Sequence, residues 1–157
     1  MRKNQKGFSL IELLIVVAII LIIAAIAIPN LLRSKMAANE ASAVGSLRSI
    51  NTACVTYAST YGIGFPLALA NLAPAASPTS AAADLIDNVL ATGTKSGYSF
   101  VLTAANPSNG VYQTYTATGE PVSVNQTGNR YFFTDQSFVI RQKVGSPAVV
   151  TDTPIGN

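Results

Sequence analysis

The 157-residue sequence has no histidine, no tryptophan and only one cysteine. Without imidazole there is no Ser-His-Asp triad and no His/Cys metal cluster. A lone Cys54 permits no intrachain disulfide. Charge is scarce as well: Asp, Glu, Lys and Arg make up 11% of the chain, against roughly a quarter in ordinary soluble proteins. The net charge of +3 lies entirely in Arg2, Lys3 and Lys6; beyond residue 7 the chain has seven basic and seven acidic side chains. That balance gives no electrostatic footprint for nucleic acid. A Gly-rich phosphate loop, a nucleophile beside a base and a basic stretch interleaved with aromatics are all missing. The expectation is a non-enzyme with no catalytic residues, no cofactor, no metal site and no clear nucleic-acid site.

What the chain does have is a long apolar run. In residues 8–28 only Ser9 and Glu12 are polar. As a helix these roughly 21 residues extend about 31 Å, enough for the hydrocarbon core of a bilayer. Arg2, Lys3 and Lys6 precede it with no acid to offset them. The positive-inside rule therefore leaves residues 1–7 in the cytoplasm and sends the rest outward. Glu12 is out of place, because a carboxylate at the centre of such a run costs about 2.5–3.5 kcal/mol even on lenient insertion scales. Either it lies close enough to the interface to snorkel, or it has a cationic partner. The run itself supplies none, so that partner would be another chain or a new N-terminus.

The stretch Gly7-Phe8-Ser9-Leu10-Ile11-Glu12 closely resembles the processing site of type IV prepilins and the related pseudopilins. The resemblance is strong through about Leu32 and weakens towards the C-terminus. It implies that a prepilin peptidase cuts between Gly7 and Phe8 and that Phe8 is then N-methylated. It also implies that Glu12 attracts the N-terminal amine of a neighbouring subunit during assembly, and that Pro29 marks a helix kink. A membrane-exit kink with no role in assembly is the plainer reading of Pro29. Many pilins close a C-terminal loop with a disulfide; this chain would hold that region by packing. A competing processing site exists at Ala25-Ile26-Ala27, which has the small-x-small form used by ordinary signal peptidase. Against it, Glu12 interrupts the apolar stretch, which is also long for a signal peptide.

The fold class expected is α+β: a long N-terminal helix, membrane-spanning in its first half and amphipathic in its second, packed on a three- to four-stranded antiparallel sheet (the pilin fold). The expected division is a leader at 1–7, a hydrophobic transmembrane and polymerisation helix at 8–29, its amphipathic continuation at 30–61, and a globular head at 62–157. Within the head, a connecting loop covers 62–96, the sheet 97–143 and a tail 144–157. Val44, Leu47, Ile50, Cys54, Tyr57 and Tyr61 recur at helical spacing, with Ala43 and Ala58 alongside. Ser46, Arg48, Ser49, Asn51, Thr52 and Ser59 form the opposite, polar face. Gly62-Ile63-Gly64 and Pro66 end the helix, which from residue 8 to 61 would extend roughly 80 Å.

Residues 80–91 read as a short helix with Leu85, Ile86, Val89 and Leu90 on its apolar face, and Asp84 and Asp87 as solvated first-turn acids rather than calcium ligands. Tyr98, Phe100 and Leu102 alternate inward on a first strand. Asn106-Pro107-Ser108-Asn109-Gly110 reads as a turn. A second strand covers 111–117 and is interrupted by Gly119-Glu120-Pro121. Residues 129–134 and 138–141 flank Asp135-Gln136-Ser137 as a hairpin. Thr127-Gly128-Asn129-Arg130-Tyr131-Phe132 and residues 135–140 resemble a pattern common in bacterial pilin-like heads. Asn125-Gln126-Thr127 fits a glycosylation sequon, for which chance is the better explanation.

The function these readings imply is a structural type IV pilus subunit, with itself, prepilin peptidase and the assembly machinery as partners. It would sit in the inner membrane before assembly, with a cytoplasmic N-terminus, and in an extracellular filament afterwards. The alternatives are a type II secretion pseudopilin, or a secreted binding or enzymatic domain behind an ordinary signal peptide.

Overall fold

The computed structural model describes residues 8–156. The leader, including Gly7, lies outside the described residues. The described residues form two compact units, one ending at Lys35 and the other beginning at Met36. One helix, α1 (Leu10–Tyr61), contributes to both. In the first unit its residues are exposed along their whole length, apart from a half-buried Ala24. Pro29 lies inside α1, where its missing N–H leaves the carbonyl four residues earlier without that partner. At the far end Gly62, at φ +65°, donates its N–H to Ala58 O at 3.0 Å. A left-handed glycine is the usual helix stop.

In the second unit the C-terminal half of α1 packs on a six-stranded antiparallel sheet, ordered β1-β2-β3-β4-β5-β6. The strands are β1 (Thr94–Lys95), β2 (Tyr98–Ser108), β3 (Val111–Pro121), β4 (Arg130–Asp135), β5 (Arg141–Val144) and β6 (Thr153–Pro154). Ala43, Leu47, Ile50, Cys54 and Tyr57 are buried against Tyr98, Phe100 and Leu102 of β2, Tyr115 and Ala117 of β3, and Phe132 of β4. Fully burying each large side chain contributes about 1.5–3 kcal/mol.

The expected three or four strands are thus six. The two extra strands have two residues each, too short to show a period of two. The expected turn at 106–110 is also smaller, because β2 and β3 pair as far as Ser108↔Val111. Pro107 is tolerated opposite Tyr112 for a specific reason. Tyr112 turns its N–H and carbonyl away, to Ile63 O at 3.3 Å and from Phe65 N at 2.9 Å. The pair needs no amide from the proline. Gly64, at φ +81°, lies so close to the Tyr112 backbone that any Cβ would overlap it.

Nor do Gly119-Glu120-Pro121 interrupt β3, which pairs with β2 to Tyr98↔Pro121. Gly119 lets the layers approach: a Cβ there would lie 3.2 Å from the Phe100 ring and 3.6 Å from Leu47 Cδ1.

The helix expected at 80–91 shrinks to α2 (Asn88–Ala91), capped by Asp87 accepting from Leu90 N at 3.0 Å. Upstream amides are used elsewhere: Ala83 N reaches Asn71 O, Asp84 N reaches Ala73 O, and Leu85 N reaches Leu72 O. Tertiary partners there replace the i→i−4 ladder. Asp84 is left-handed at φ +54° and Val89 is exposed. Asp87 is a cap and pairs with Lys95 at 2.8 Å, rather than standing free in a first turn. The hairpin also shifts. Phe138-Val139-Ile140 belong to the connection and β5 begins at Arg141. The Asp135 carboxylate accepts from Ser137 N at 2.9 Å, and Phe138 N donates to Asp135 O at 2.9 Å, wrapping the chain before it can pair.

Ser46 and Asn51, expected on the solvent face, are buried. Asn51 Nδ2 donates to Thr134 Oγ1 at 3.0 Å, and Tyr115 OH donates to Asn51 Oδ1 at 2.8 Å. No buried side-chain N or O among the described residues lacks a partner.

A second polar tie joins Glu40 to the start of β4. Its Oε1 accepts from Asn129 N at 2.9 Å and Arg130 N at 3.2 Å, and its Oε2 accepts from Arg130 Nε at 2.7 Å. Burial by itself raises the Glu40 carboxyl. The hydrogen bonds from Asn129 and Arg130, with the guanidinium charge, outweigh burial and hold it below the ordinary value of 4.5. A depressed carboxylate stabilises the fold above its unfolded pKa, and that contribution is lost as pH falls through the folded one. Melting temperature should therefore drop on acidification below about pH 4.5. In Glu40→Gln melts repeated over the same pH series, the drop should be smaller. An identical pH profile in the variant would remove Glu40 from this role.

Candidate assembly site at the start of helix α1

The site begins where the apolar run enters the helix. Ser9 directly precedes the first helical residue, Leu10, and Leu13 N donates to Ser9 O at 3.2 Å. Glu12 is the third helical residue, and its Oε2 accepts from Ser9 N at 2.9 Å. This is the return half of a capping box, satisfying an amide that the helix leaves without an internal partner. The carboxylate also sits at the positive end of the helix dipole. Phe8, immediately before, is 79% exposed. Glu12 thus folds back to within hydrogen-bonding distance of the backbone one residue after Phe8. An amine at Phe8 would be the next nitrogen along the chain.

From Phe8 to Leu32 every large hydrophobic side chain is exposed. Among the described residues α1 is the one helix long and apolar enough to cross a membrane. An exposed carboxylate at the head of a bare apolar helix can do one thing well: accept hydrogen bonds from a cation under low dielectric, where such pairing is strongest.

A family model described as the prokaryotic N-terminal methylation motif matches residues 2–28. The chain carries the prepilin-type methylation motif. Three curated relatives accompany that match. The type IV wide pilus major component of Thermus thermophilus is 63% identical over 38 residues, 24% of this chain and 29% of the relative. The type IV major pilin of Myxococcus xanthus is 48% identical over 50 residues, 32% and 23% of the two chains. The type IV major fimbrial protein of Dichelobacter nodosus is 48% identical over 58 residues, 35% and 37%. The aligned stretch spans between about a quarter and about a third of the length of each relative. No solved structure matches significantly.

The methylation motif holds Phe8, Glu12 and the apolar run; Glu12 is hydrogen-bonded to Ser9, whereas Pro29 lies just beyond the motif's last matched residue. Gly7 falls within the motif and outside the described residues. Cys54 is fully buried, and burial pushes its thiol up to about 12, so it is inert. Asn125 lies in an exposed turn at φ +65°. Among the described residues no group of three or more metal-ligating side chains comes together.

Sequence reasoning passed over Glu40, Arg130 and the polar role of Asn51. Asn51 carried a signal, since it is four residues beyond Leu47 and three before Cys54, in phase with the buried stripe. Glu40 carried none, because its partners lie about 90 residues away in sequence.

Proposed function

We propose that the chain is the structural subunit of a type IV pilus. It is made as an inner-membrane prepilin with residues 1–7 in the cytoplasm and the run at 8–29 spanning the bilayer. Prepilin peptidase cleaves between Gly7 and Phe8, and the new Phe8 amine is methylated. The assembly machinery then draws copies together, and their apolar helices cover one another in an extracellular filament. Residues 30–61 continue the helix, and residues 62–157 supply the head.

One observation supports this most: the methylation motif sits on an apolar helix with no covering side chains and a single carboxylate at its third position. Such a surface is stable only in lipid or against other copies of itself. The three relatives are named as major components of pili or fimbriae, which favours a structural over an enzymatic role.

The mass of the mature chain tests the processing step. It should begin at a methylated Phe8 in wild type, whereas Gly7→Val should retain residues 1–7, because a branched side chain crowds the scissile bond. Leader loss at the wild-type rate in Gly7→Val would refute the cleavage site. A mature start at Ile28 would instead identify a secreted domain. Cleavage at Phe8 without the protein in sheared surface fibres would point to a secretion pseudopilin.

A further inference from the structure

Two surface features of the second unit serve neither its core nor the processing site. The first is a groove of about 510 Å³ on the exposed side of α1, lined by Arg48, Asn51, Thr52, Val55, Thr56 and Phe138. Phe138 is 46% and Val55 45% exposed. Phe138 also sits at φ +62°, a conformation that bulky L residues rarely adopt. The Asp135 turn, with Phe138 N donating to Asp135 O at 2.9 Å, holds the ring in this half-exposed position beside Arg48. Arg48, at the rim, has no acidic or carbonyl partner among the described residues. The other cations of this unit are engaged: Lys95 by Asp87, Arg130 by Glu40, and Arg141 and Lys143 by Asp152.

The second feature is Asp84. It lies exposed in a left-handed turn after Ala81-Ala82-Ala83, with its N–H held by Ala73 O. Among the described residues of this unit it is the one exposed acid without a cation partner, since the other exposed acid, Asp87, has Lys95. Arg48 and Asp84 make no ion pair within the chain.

We propose that these surfaces dock on one another between copies of this chain. The groove of one subunit receives the Asp84 turn of the next, with the carboxylate against Arg48 and the accessible Ala81 and Ala82 against Val55 and Phe138. The proposal rests on the pilus-subunit reading and adds the head contact to it. The two patches differ, so the contact is heterologous and propagates as an open chain rather than closing on itself. Opposite charges at the rim set register, and burial of the Phe138 ring supplies the apolar part.

The test uses full-length protein in cells, each variant first being checked for mature chain in the membrane. Cys54 is buried and inert, so introduced cysteines report alone. Oxidised sheared filaments of the double variant Arg48→Cys, Asp84→Cys should give a non-reducing ladder of dimers, trimers and longer species. Each single variant should stay monomeric, and co-expressed single variants should stop at dimers. Arg48→Glu or Asp84→Arg alone should lower filament yield about tenfold by juxtaposing like charges, and the combined reversal should restore it. Abundant wild-type filaments with no ladder, or a double reversal no better than the single ones, would overturn the docking and leave the pilus reading intact. A ladder that forms with Glu120→Cys in place of Asp84→Cys would overturn the choice of occupant. Absence of filaments from wild type would overturn the pilus reading, and the docking with it.

Discussion

Chains carrying Glu12→Gln are expected to be inserted and to lose their leader, yet to give few or no filaments. The substitution isolates charge. Glutamine can accept the same hydrogen bond from Ser9 N, at 2.9 Å in the wild type, because a capping box tolerates either residue. The helix start is therefore preserved and its shape unchanged. What disappears is the anion. Under the proposed assembly, cleavage creates an ammonium at Phe8, and an incoming subunit brings that cation to the Glu12 of a chain already in the fibre. In lipid a lone carboxylate costs about 2.5–3.5 kcal/mol. Paired with an ammonium it becomes favourable, and the low dielectric strengthens the attraction. Losing the pair should cut filament yield by at least about tenfold, the effect of about 1.4 kcal/mol, with leader removal unaffected. Mature mass scores the cleavage, and shearing with microscopy scores the filaments. The amine of the same chain competes for Glu12, since the carboxylate already folds back to Ser9. Abundant filaments from Glu12→Gln would mean that Glu12 only caps the helix or snorkels to the interface, and the register mechanism would have to be abandoned.

The largest expected loss of stability comes from Leu47→Asp. Leu47 is fully buried, with its Cδ1 facing Gly119 of β3. An aspartate there removes the apolar contact and leaves an unpaired charge between helix and sheet. The combined cost is on the order of 4 kcal/mol or more, a large part of the roughly 5–15 kcal/mol that a domain possesses. Ile50→Asp should behave alike, because Ile50 is equally buried on the same face. Arg48→Asp, one residue along and exposed, should change stability by no more than about 0.5 kcal/mol. Thermal melts of the full chain in detergent compare them. Equal melting temperatures for Leu47→Asp and Arg48→Asp would contradict the burial of Leu47. Charge reversal at Arg48, by Asp as by Glu, is expected to reduce filaments, so folding and docking separate cleanly at adjacent positions.

Much of this protein was legible because its strongest signals are local. An unbroken apolar run followed by a stripe at helical spacing specifies a helix whatever lies around it, and α1 follows both. The processing motif is contiguous, and the family match ends at Ile28, just before Pro29. Alternation on β2 is also local, and Tyr98, Phe100 and Leu102 all point inward. Lack of histidine and of a second cysteine is readable at once, and it rules out imidazole chemistry and an intrachain disulfide without any structure.

The tertiary structure decided where local preference meets a distant partner. Residues 80–87 have a helical pattern, yet the amides of residues 83–86 bond to Asn71, Leu72 and Ala73 instead, because those carbonyls were available and a short helix is marginal alone. Pro107 and Gly119 look like strand breakers. They lie inside strands because one faces a non-hydrogen-bonded position and the other makes room for a ring. Asn51 and Glu40 are polar by composition, and only β3 and β4 make their burial favourable, through Tyr115, Thr134 and Arg130. A buried polar group is tolerated only with its partner in place, and sequence alone does not say which strand delivers it. The left-handed Phe138 beside Arg48 belongs to the same class, for its strain and exposure exist only once the β4–β5 connection has folded against α1.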